Sequence, residues 1–351
     1  SLVIERIFSM AHMDIFNNDA FSLVNMTAAV EKFPSVPSFL GDLGIFGSGE
    51  GATTDSVSIE QRGQTLELIP TSPRGSEIPM GKTDKGQLRI FSIPRVAKGD
   101  QVYAREVQGV REFGTESELL TVMKLVAQKQ EKLFTEHALT MEFHRLGALQ
   151  GILLDSDGST LYNFFNEFGI SQPAEIDFDL DAVNPAEGVL RTLISNSVMR
   201  PIQRALGLGW TPMCKITALC GDTFYDQFVN HSDVRVTYKN WDAASSLREG
   251  TAFKRFHFAD VDWVNYKGTD DNSTVAIGAT KVKFFVEGAP GLFRRINGPG
   301  ETIETVNTIG RPIYSMLVRD EKRNMWVQPE IYSYPFHICT RPEVLLRGKN
   351  T

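Results

Sequence analysis

The 351-residue sequence has little cysteine and no long apolar run. Cys214, Cys220 and Cys339 are odd in number and form no CxxC pair, which favours reduced thiols over a disulfide framework or a zinc site. Its apolar runs are only a few residues long, whereas a membrane-spanning helix needs about 20. Glu5 and Arg6 interrupt the apolar start of the sequence. We therefore expect no membrane span and no export signal, and a chain that folds in a cytosolic environment.

A block of basic residues is also absent. The 36 Lys and Arg residues are dispersed among 43 Asp and Glu residues, and the net charge is -7. A protein that binds specific DNA sequences usually carries a basic surface that displaces counterions from phosphates. The charge distribution therefore argues against specific nucleic-acid binding. A hydrophobic content of 42% and a charged content of 23% are typical of an ordinary folded protein.

Segments that resemble ligand-binding motifs fail on spacing. Residues 75–83 resemble a phosphate-binding loop, but five residues separate its two glycines instead of four. Pro79 also removes an amide, and no helix pattern starts at Lys82. Asp155 and Asp157 resemble the first ligands of a calcium loop, but Gly158 comes two places early, so a hairpin turn is favoured.

Pairs of titratable residues form no convincing site either. His137 and His144 are seven residues apart on a predicted helix, too far to chelate one ion in the usual manner. The acidic pairs are Asp177 with Asp179 and Asp260 with Asp262, which solvated turns explain equally well. We predict no catalytic, cofactor-binding or metal-binding residues.

The first half of the chain predicts extended segments followed by a long helix. Residues 1–54 are rich in Pro and Gly and indicate an extended arm with a short helix at 19–32. Alternating apolar residues at 57–59, 66–68 and 88–90 predict a long two-stranded ribbon with its tip at 70–86. A capping box at 115–118 starts a helix predicted for 116–146, about 45 Å long at roughly 1.5 Å per residue.

The second half predicts mixed α/β structure. Residues 152–165 predict a hairpin around the turn at 155–159. Beyond residue 181 we predict a series of helices and strands: helices at 185–206 and 223–230, and strands at 216–220, 275–286, 313–318 and 325–327.

This order of elements resembles the shell subunits of tailed phages. Four segments strengthen the resemblance to the lambda-type major capsid protein E family: AFSLVNMTA at 20–28, IPRVAKGD at 93–100, EVQGVREFG at 106–114 and GILLDSDGS at 151–159. The resemblance covers essentially the whole chain. It implies an α+β, HK97-type capsid fold with an N-terminal arm, an extended β-hairpin E-loop, a P-domain with a long spine helix, and an α/β A-domain.

The resemblance also implies a division of the chain. It places the N-terminal arm at 1–55, the E-loop at 56–112, the P-domain with its spine helix at 113–181, the A-domain at 182–310, the returning P-domain strands at 311–333, and a C-terminal segment against the A-domain at 334–351.

The implied function is a major capsid protein that self-assembles into hexamers and pentamers around phage double-stranded DNA. The implied partners are a scaffold or assembly chaperone, a portal and a decoration protein, with DNA held non-specifically. The implied location is the virion, after assembly in the host cytoplasm. Arg74, Lys82 and Lys85 are predicted to lie at an intersubunit E-loop tip. Two alternatives stay open: the shell of a non-viral compartment or gene-transfer particle, and a soluble α/β enzyme acting on a phosphorylated substrate.

Overall fold

The computed structural model describes residues 38–61, 87–107, 118–182, 185–239, 255–266, 275–323 and 325–350. Several predictions lie outside these ranges: the helix at 19–32, the strand at 66–68, the ribbon tip at 70–86 and the capping-box residues 115–117. Within the described ranges, no helix has both the length and the apolar character needed to cross a bilayer.

The described elements have the α+β order that was predicted. The helices are α1 (Phe39–Asp42), α2 (Ala104–Val107), α3 (Glu118–Gln150), α4 (Phe164–Phe168), α5 (Val189–Leu193), α6 (Arg200–Leu206), α7 (Asp222–Asn230) and α8 (Ser232–Lys239). The strands are β1 (Glu50–Gly51), β2 (Ser56–Gln61), β3 (Gln87–Ser92), β4 (Val96–Gly99), β5 (Val102–Tyr103), β6 (Ile152–Leu154), β7 (Thr160–Asn163), β8 (Ile176–Asp177), β9 (Lys215–Cys220), β10 (Arg255–Phe258), β11 (Val261–Asn265), β12 (Lys281–Glu287), β13 (Phe293–Asn297), β14 (Tyr314–Arg319), β15 (Trp326–Ser333), β16 (Pro335–Cys339) and β17 (Leu346–Lys349).

The base of the predicted ribbon is confirmed. Strands β2 and β3 pair antiparallel, from Ser56 opposite Ser92 to Gln61 opposite Gln87. Strand β4 follows β3 closely in sequence but joins a different sheet. The described base of the ribbon is therefore a two-stranded sheet of its own.

The long helix α3 is confirmed, and its 33 residues span about 50 Å at roughly 1.5 Å per residue. Its inner face carries apolar side chains that the periodicity predicted to be buried: Val126, Leu133, Met141 and Leu149. The helix packs against β15 and β16. It is called the spine helix below, and it contacts strands of two different sheets.

The predicted end of this helix, at residue 146, is wrong. Gly147 lies inside the helix, where an added Cβ would be 3.0 Å from the carbonyl oxygen of Ile152. This glycine therefore permits a close approach of β6 and does not terminate the helix. The terminator is Gly151, whose φ of 77° lies in the left-handed region that glycine favours.

The predicted hairpin is confirmed as β6 and β7, with the Asp155 amide donating to the Ser159 carbonyl at 2.8 Å across the turn. Its predicted extension to residue 165 is wrong. Residues 164–168 form helix α4, because the Asn163 side chain accepts hydrogen bonds from the amides of Phe165 and Asn166 and caps a helix there.

A six-stranded mixed sheet has the order β10-β11-β9-β12-β17-β8. The predicted strand and helix at 216–220 and 223–230 are confirmed as β9 and α7. The predicted strand at 275–286 is partly wrong, because β12 begins only at Lys281. The chain turns before it, with the Lys281 amide donating to the Gly278 carbonyl at 2.8 Å.

The predicted helix at 185–206 begins later and is interrupted. Helix α5 starts at Val189, and the π-helical segment Ile194–Met199 separates it from α6. Pro201 lies at the start of α6, where its missing amide hydrogen and its ring prevent regular α-helical bonding to the preceding turn. The wider π turn accommodates the proline without ending the helix.

Two smaller sheets complete the body. Strands β14 and β15 form the predicted late antiparallel pair, β4 and β5 pair with the other side of β15, and β1, β13 and β16 form a three-stranded sheet. Most of the buried apolar side chains form one continuous core. Trp263 lies within it and stacks on Phe228 with ring centroids 3.9 Å apart, which confirms core anchoring for this tryptophan.

Candidate assembly surfaces

The ribbon base has one buried face and one uncovered face. Phe91 on the inner face is 1% exposed and packs against the rings of Tyr162 and Phe336. On the outer face, Leu88 is 65% exposed and Ile90 is 70% exposed. Because burying such a side chain contributes about 1.5–3 kcal/mol, the uncovered pair is a candidate contact surface.

A cavity of about 500 Å³ lies between the spine helix α3, strand β4 and the β6–β7 turn. Its lining combines apolar residues with charged residues at the rim. The lining residues include Ala97, Leu133, Thr140, His144, Leu161 and Ile331. At the rim, Lys98 pairs with Glu136 at 2.8 Å and Arg95 pairs with Glu301 at 2.6 Å.

Two histidines in the cavity wall are held neutral. Burial lowers the pKa of His137 to about 4, with Arg295 adding to the effect, and His137 Nε2 lies 2.6 Å from Ser333 Oγ. Burial also lowers the pKa of His144 to about 4, and Asp155 opposes this shift. His144 is 3% exposed, and its Nδ1 has no hydrogen-bond partner among the described residues.

A third histidine lies behind this wall. The ring of His337 is fully buried, 6.5 Å from that of His144, and neither of its nitrogens has a hydrogen-bond partner among the described residues. Burial lowers its pKa well below the usual range, with Arg295 and Arg145 adding to the effect. The region between the spine helix and β16 therefore disfavours additional positive charge.

A buried carboxylate anchors the first described residues to the spine helix. Glu142 Oε1 accepts hydrogen bonds from the Leu40 amide at 2.8 Å and the Tyr266 hydroxyl at 3.2 Å. Glu142 Oε2 accepts one from Arg145 at 3.3 Å, and the same guanidinium nitrogen donates to Ser38 Oγ at 3.1 Å. These hydrogen bonds hold Ser38 and Leu40 against the spine helix.

A second uncovered apolar surface lies on the loop at 299–312. Ile303 is 97% exposed and Ile309 is 69% exposed. The loop is tied to the body, because the Gly310 amide donates to the Ala52 carbonyl at 2.9 Å and Glu301 pairs with Arg95. This loop is a rival contact surface to the ribbon.

Three of the acidic residues considered for calcium binding or acid–base chemistry have structural roles. Asp155 accepts from the Ser156 amide at 2.7 Å and Asp157 from the Ser159 amide at 2.8 Å, so both carboxylates stabilise the turn. Asp262 contacts His257 Nδ1 at 2.8 Å and Arg255 at 3.4 Å. Across the described ranges, no group of three or more His, Cys, Asp or Glu side chains is arranged to hold a metal ion.

The three cysteines are free and buried. Burial raises the pKa of Cys220 and of Cys339, which keeps both thiols protonated and unreactive at neutral pH. The prediction of reduced thiols therefore agrees with their surroundings.

Comparison with known proteins identifies the family. The model of the family "Phage major capsid protein E" matches residues 22–350. The chain belongs to this family. Among curated relatives, the major capsid protein of Pseudomonas phage KPP10 is 26% identical, with 94% of this chain and 97% of the relative covered. The major capsid protein of Salmonella phage Felix O1 is 24% identical, with 93% and 95% covered.

Solved structures agree with the predicted fold. A prophage capsid protein of E. coli CFT073 gives a TM-score of 0.57 at 12% identity, covering 95% of this chain and 97% of that chain. The capsid of cyanophage P-SCSP1u gives a TM-score of 0.51 at 10% identity, covering 91% and 90%. The predicted HK97-type capsid fold is confirmed, and this phage major capsid protein is a virion component. The enzyme and non-viral shell alternatives are not favoured.

The predicted E-loop tip residues of this capsid protein, Arg74, Lys82 and Lys85, lie outside the described residues. Sequence reasoning missed Glu142 as an anchor. A signal was present, because Glu142, Leu146 and Leu149 follow the i, i+4, i+7 spacing of one helix face. A carboxylate in an otherwise apolar stripe indicates a buried partner.

Proposed function

We propose that this capsid protein forms the pentamers and hexamers that tile an icosahedral head around packaged double-stranded DNA, and that its role is structural and not catalytic. The match of the family model over residues 22–350 carries the proposal. The contacts of Asp155 with a turn amide and of Asp262 with His257 support a structural role for these two carboxylates.

We propose the following division of the subunit: N-terminal arm 1–55, E-loop 56–112, P-domain 113–181, A-domain 182–310, returning P-domain strands 311–333 and C-terminal segment 334–351. Pairing of β14 with β15 beside the spine helix supports a P-domain built from distant parts of the chain, and β4, near the end of the proposed E-loop, pairs with β15 and joins the loop to that domain. Pairing of β16 with β13 and of β17 with β12 supports a C-terminal segment that packs on the A-domain.

The E-loop is proposed to lie across an adjacent subunit, with Arg74, Lys82 and Lys85 near its contacting tip. The uncovered Leu88 and Ile90 side chains support this role, because an isolated two-stranded ribbon has little core of its own. Each such contact needs only a low affinity of its own, because a closed symmetric shell repeats it many times and forms all the copies together.

Further partners are proposed from family membership: a scaffold or assembly chaperone, a portal at one vertex and a decoration protein. Assembly is proposed to occur in the host cytoplasm. The net charge of -7 supports non-specific enclosure of DNA, because an acidic wall does not hold the polymer tightly.

Electron microscopy of the purified protein, alone and co-expressed with its scaffold, tests the proposal. We expect closed hollow particles of uniform diameter. Particles recovered from infected cells should also protect double-stranded DNA from nuclease, which distinguishes a phage head from an empty compartment. A uniformly small species, even with scaffold present, would contradict the shell function.

A further inference from the structure

Four basic residues share one face of the six-stranded sheet. In the antiparallel pair of β12 and β17, Lys281 lies opposite Lys349 and Lys283 lies opposite Arg347. Residues opposite each other in such a pair, and residues two apart on one strand, project from the same side of a sheet. The intervening residue Val282 is buried on the other side. The face formed by Lys281, Lys283, Arg347 and Lys349 is called the cationic face below.

One opposing pair on the cationic face has carboxylate partners. Lys281 Nζ donates to both carboxylate oxygens of Glu175 at 2.9 Å. Lys349 Nζ lies 3.9 Å from Asp177 Oδ2. The hydrogen bond from Lys281 lowers the pKa of Glu175, so this carboxylate is ionised at neutral pH. These contacts offset two of the four positive charges.

The other opposing pair, Lys283 and Arg347, has no carboxylate of its own. Among the described residues, the Lys283 ammonium forms no hydrogen bond or ion pair, and Arg347 donates only through Nε to the Pro173 carbonyl at 3.3 Å. Burial lowers the pKa of Lys283, the charge of Arg347 lowers it further, and Glu175 opposes the effect. Like charges directly opposite each other destabilise a sheet. Two cations are therefore held together with too little negative charge beside them.

An anion bound between Lys283 and Arg347 would remove this repulsion. A guanidinium presents a fork of donors that matches two phosphate oxygens, and an ammonium binds phosphate as a compact charge. The terminal nitrogens of Arg347 form no hydrogen bond within the described ranges, so the fork is available. Opposing Cβ atoms lie about 4.5–5.5 Å apart in such a strand pair, which lets both side chains reach one group. Both are only partly buried, so a ligand can approach from solvent.

We infer that the cationic face binds phosphate groups, with Lys283 and Arg347 contacting them directly. The inference rests on the proposed function for the source of the phosphate, since a phage head encloses double-stranded DNA. It requires that this face points into the head. Four basic side chains against two carboxylates leave two positive charges here, whereas the whole chain has a net charge of -7. Contact with DNA is thereby concentrated at one place on a wall that otherwise repels it.

The contact is independent of DNA sequence. Phosphate groups are alike along a duplex, so binding them positions the polymer without reading its bases. This is compatible with the absence of a basic block, because a single small site per subunit suffices when many subunits surround the DNA. The affinity of one subunit should be low and should fall as salt rises.

Fluorescence anisotropy of a labelled duplex, titrated with the unassembled full-length subunit, tests the site. The variant is Lys283→Gln, and the matched control is Lys215→Gln, which removes the same charge from an exposed position on β9 opposite Glu287. We expect Lys283→Gln to weaken binding about fivefold at low salt and to reduce the slope of log affinity against log salt by about 0.9. Lys215→Gln should leave both quantities nearly unchanged.

Arg347→Gln is a second variant, which keeps the test decisive if Lys283→Gln does not fold. Removing either of two opposed cations relieves repulsion. The urea midpoint of each variant should therefore equal or exceed that of the parent, and each should weaken DNA binding. Circular dichroism verifies the fold.

Inorganic phosphate distinguishes the two sources of the ligand. Both ligands raise the melting temperature of a subunit that binds them. We expect the duplex to raise it more than inorganic phosphate at an equal concentration of phosphate groups, in the parent and not in Lys283→Gln. A rise with inorganic phosphate alone, lost in Lys283→Gln, would assign the face to free phosphate and contradict the DNA source.

Equal affinities and salt slopes for the parent, Lys283→Gln and Arg347→Gln would overturn the inference. Loss of particles in these variants with unchanged DNA binding would also overturn it, because the face would then contact a neighbouring subunit. The binding measurement uses unassembled subunits, so its failure leaves the shell function intact. Absence of particles from the parent chain would contradict the shell function and not the phosphate site.

Discussion

Replacing Glu142 with alanine should destabilise the subunit strongly and release the chain at residues 38–46. The substitution removes the acceptor for the Leu40 amide, the Tyr266 hydroxyl and the Arg145 guanidinium, at 2.8, 3.2 and 3.3 Å. The side chains of Glu142 and Arg145 are 8% and 15% exposed. Breaking a buried ion pair typically costs about 3–5 kcal/mol. Because Arg145 retains its hydrogen bond to Ser38, we expect the lower end, about 3 kcal/mol.

Urea unfolding of the purified, unassembled subunit measures this loss, since the midpoint and slope give the free energy of unfolding. Glu142→Gln keeps the volume and one acceptor oxygen, so we expect a smaller loss of about 1–2 kcal/mol. Glu131→Ala, at an exposed position on the same helix, is the control and should change stability by less than about 0.5 kcal/mol. Hydrogen exchange should accelerate at the Leu40 amide in Glu142→Ala. Equal stabilities of Glu142→Ala and Glu131→Ala would refute the anchoring role.

Three further predictions concern a helix end, a histidine and the ribbon. Gly151→Ala should lower the melting temperature more than Gly158→Ala, because both positions have positive φ but only the first would place a Cβ against the Phe165 ring; overpacking adds about 1–3 kcal/mol. Since burial lowers the pKa of His144 to about 4, the unfolded chain takes up a proton below about pH 6.5 that the folded chain resists, and about 2 kcal/mol of stability is lost between pH 7 and pH 5. His144→Gln should lose correspondingly less over that interval in urea titrations, and a loss as large as that of the parent would contradict this origin. Deletion of residues 71–85 should leave the circular dichroism spectrum of the subunit unchanged but impair shell formation by electron microscopy; normal assembly would exclude an intersubunit role for the tip.

The sequence predicted those elements whose signals are local. The spine helix followed from its apolar periodicity, and the β6–β7 hairpin from the turn residues between its strands. The errors occurred where tertiary packing determines how an element ends. Glycine is typical of a helix end, yet Gly147 lies inside the helix and permits close contact with β6. The π turn before Pro201 keeps a helix continuous where a sequence pattern cannot specify how the backbone adapts.

The candidate surfaces were less accessible to sequence reasoning. The apolar alternation of Leu88 and Ile90 predicted a strand, but only the register with β2 shows that this face is the uncovered one. The cavity depends on β4 lying beside β15, and this pairing joins segments far apart in the sequence. The sequence analysis considered His144 as a metal ligand and not as a buried neutral side chain. Its burial depends on the elements packed around the spine helix, and helical spacing does not reveal which elements these are.

Strand β17 has a consequence for the timing of synthesis. It is made after the other strands, yet it lies in the interior of the six-stranded sheet, antiparallel to β12 and parallel to β8. While a chain is still on the ribosome, the facing edges of β8 and β12 therefore lack their shared partner. Pairing across such sequence distances is slow and leaves open edges prone to aggregation. Chains that stop before residues 346–349 are therefore expected to keep both edges open and to fold poorly before they can enter a growing shell.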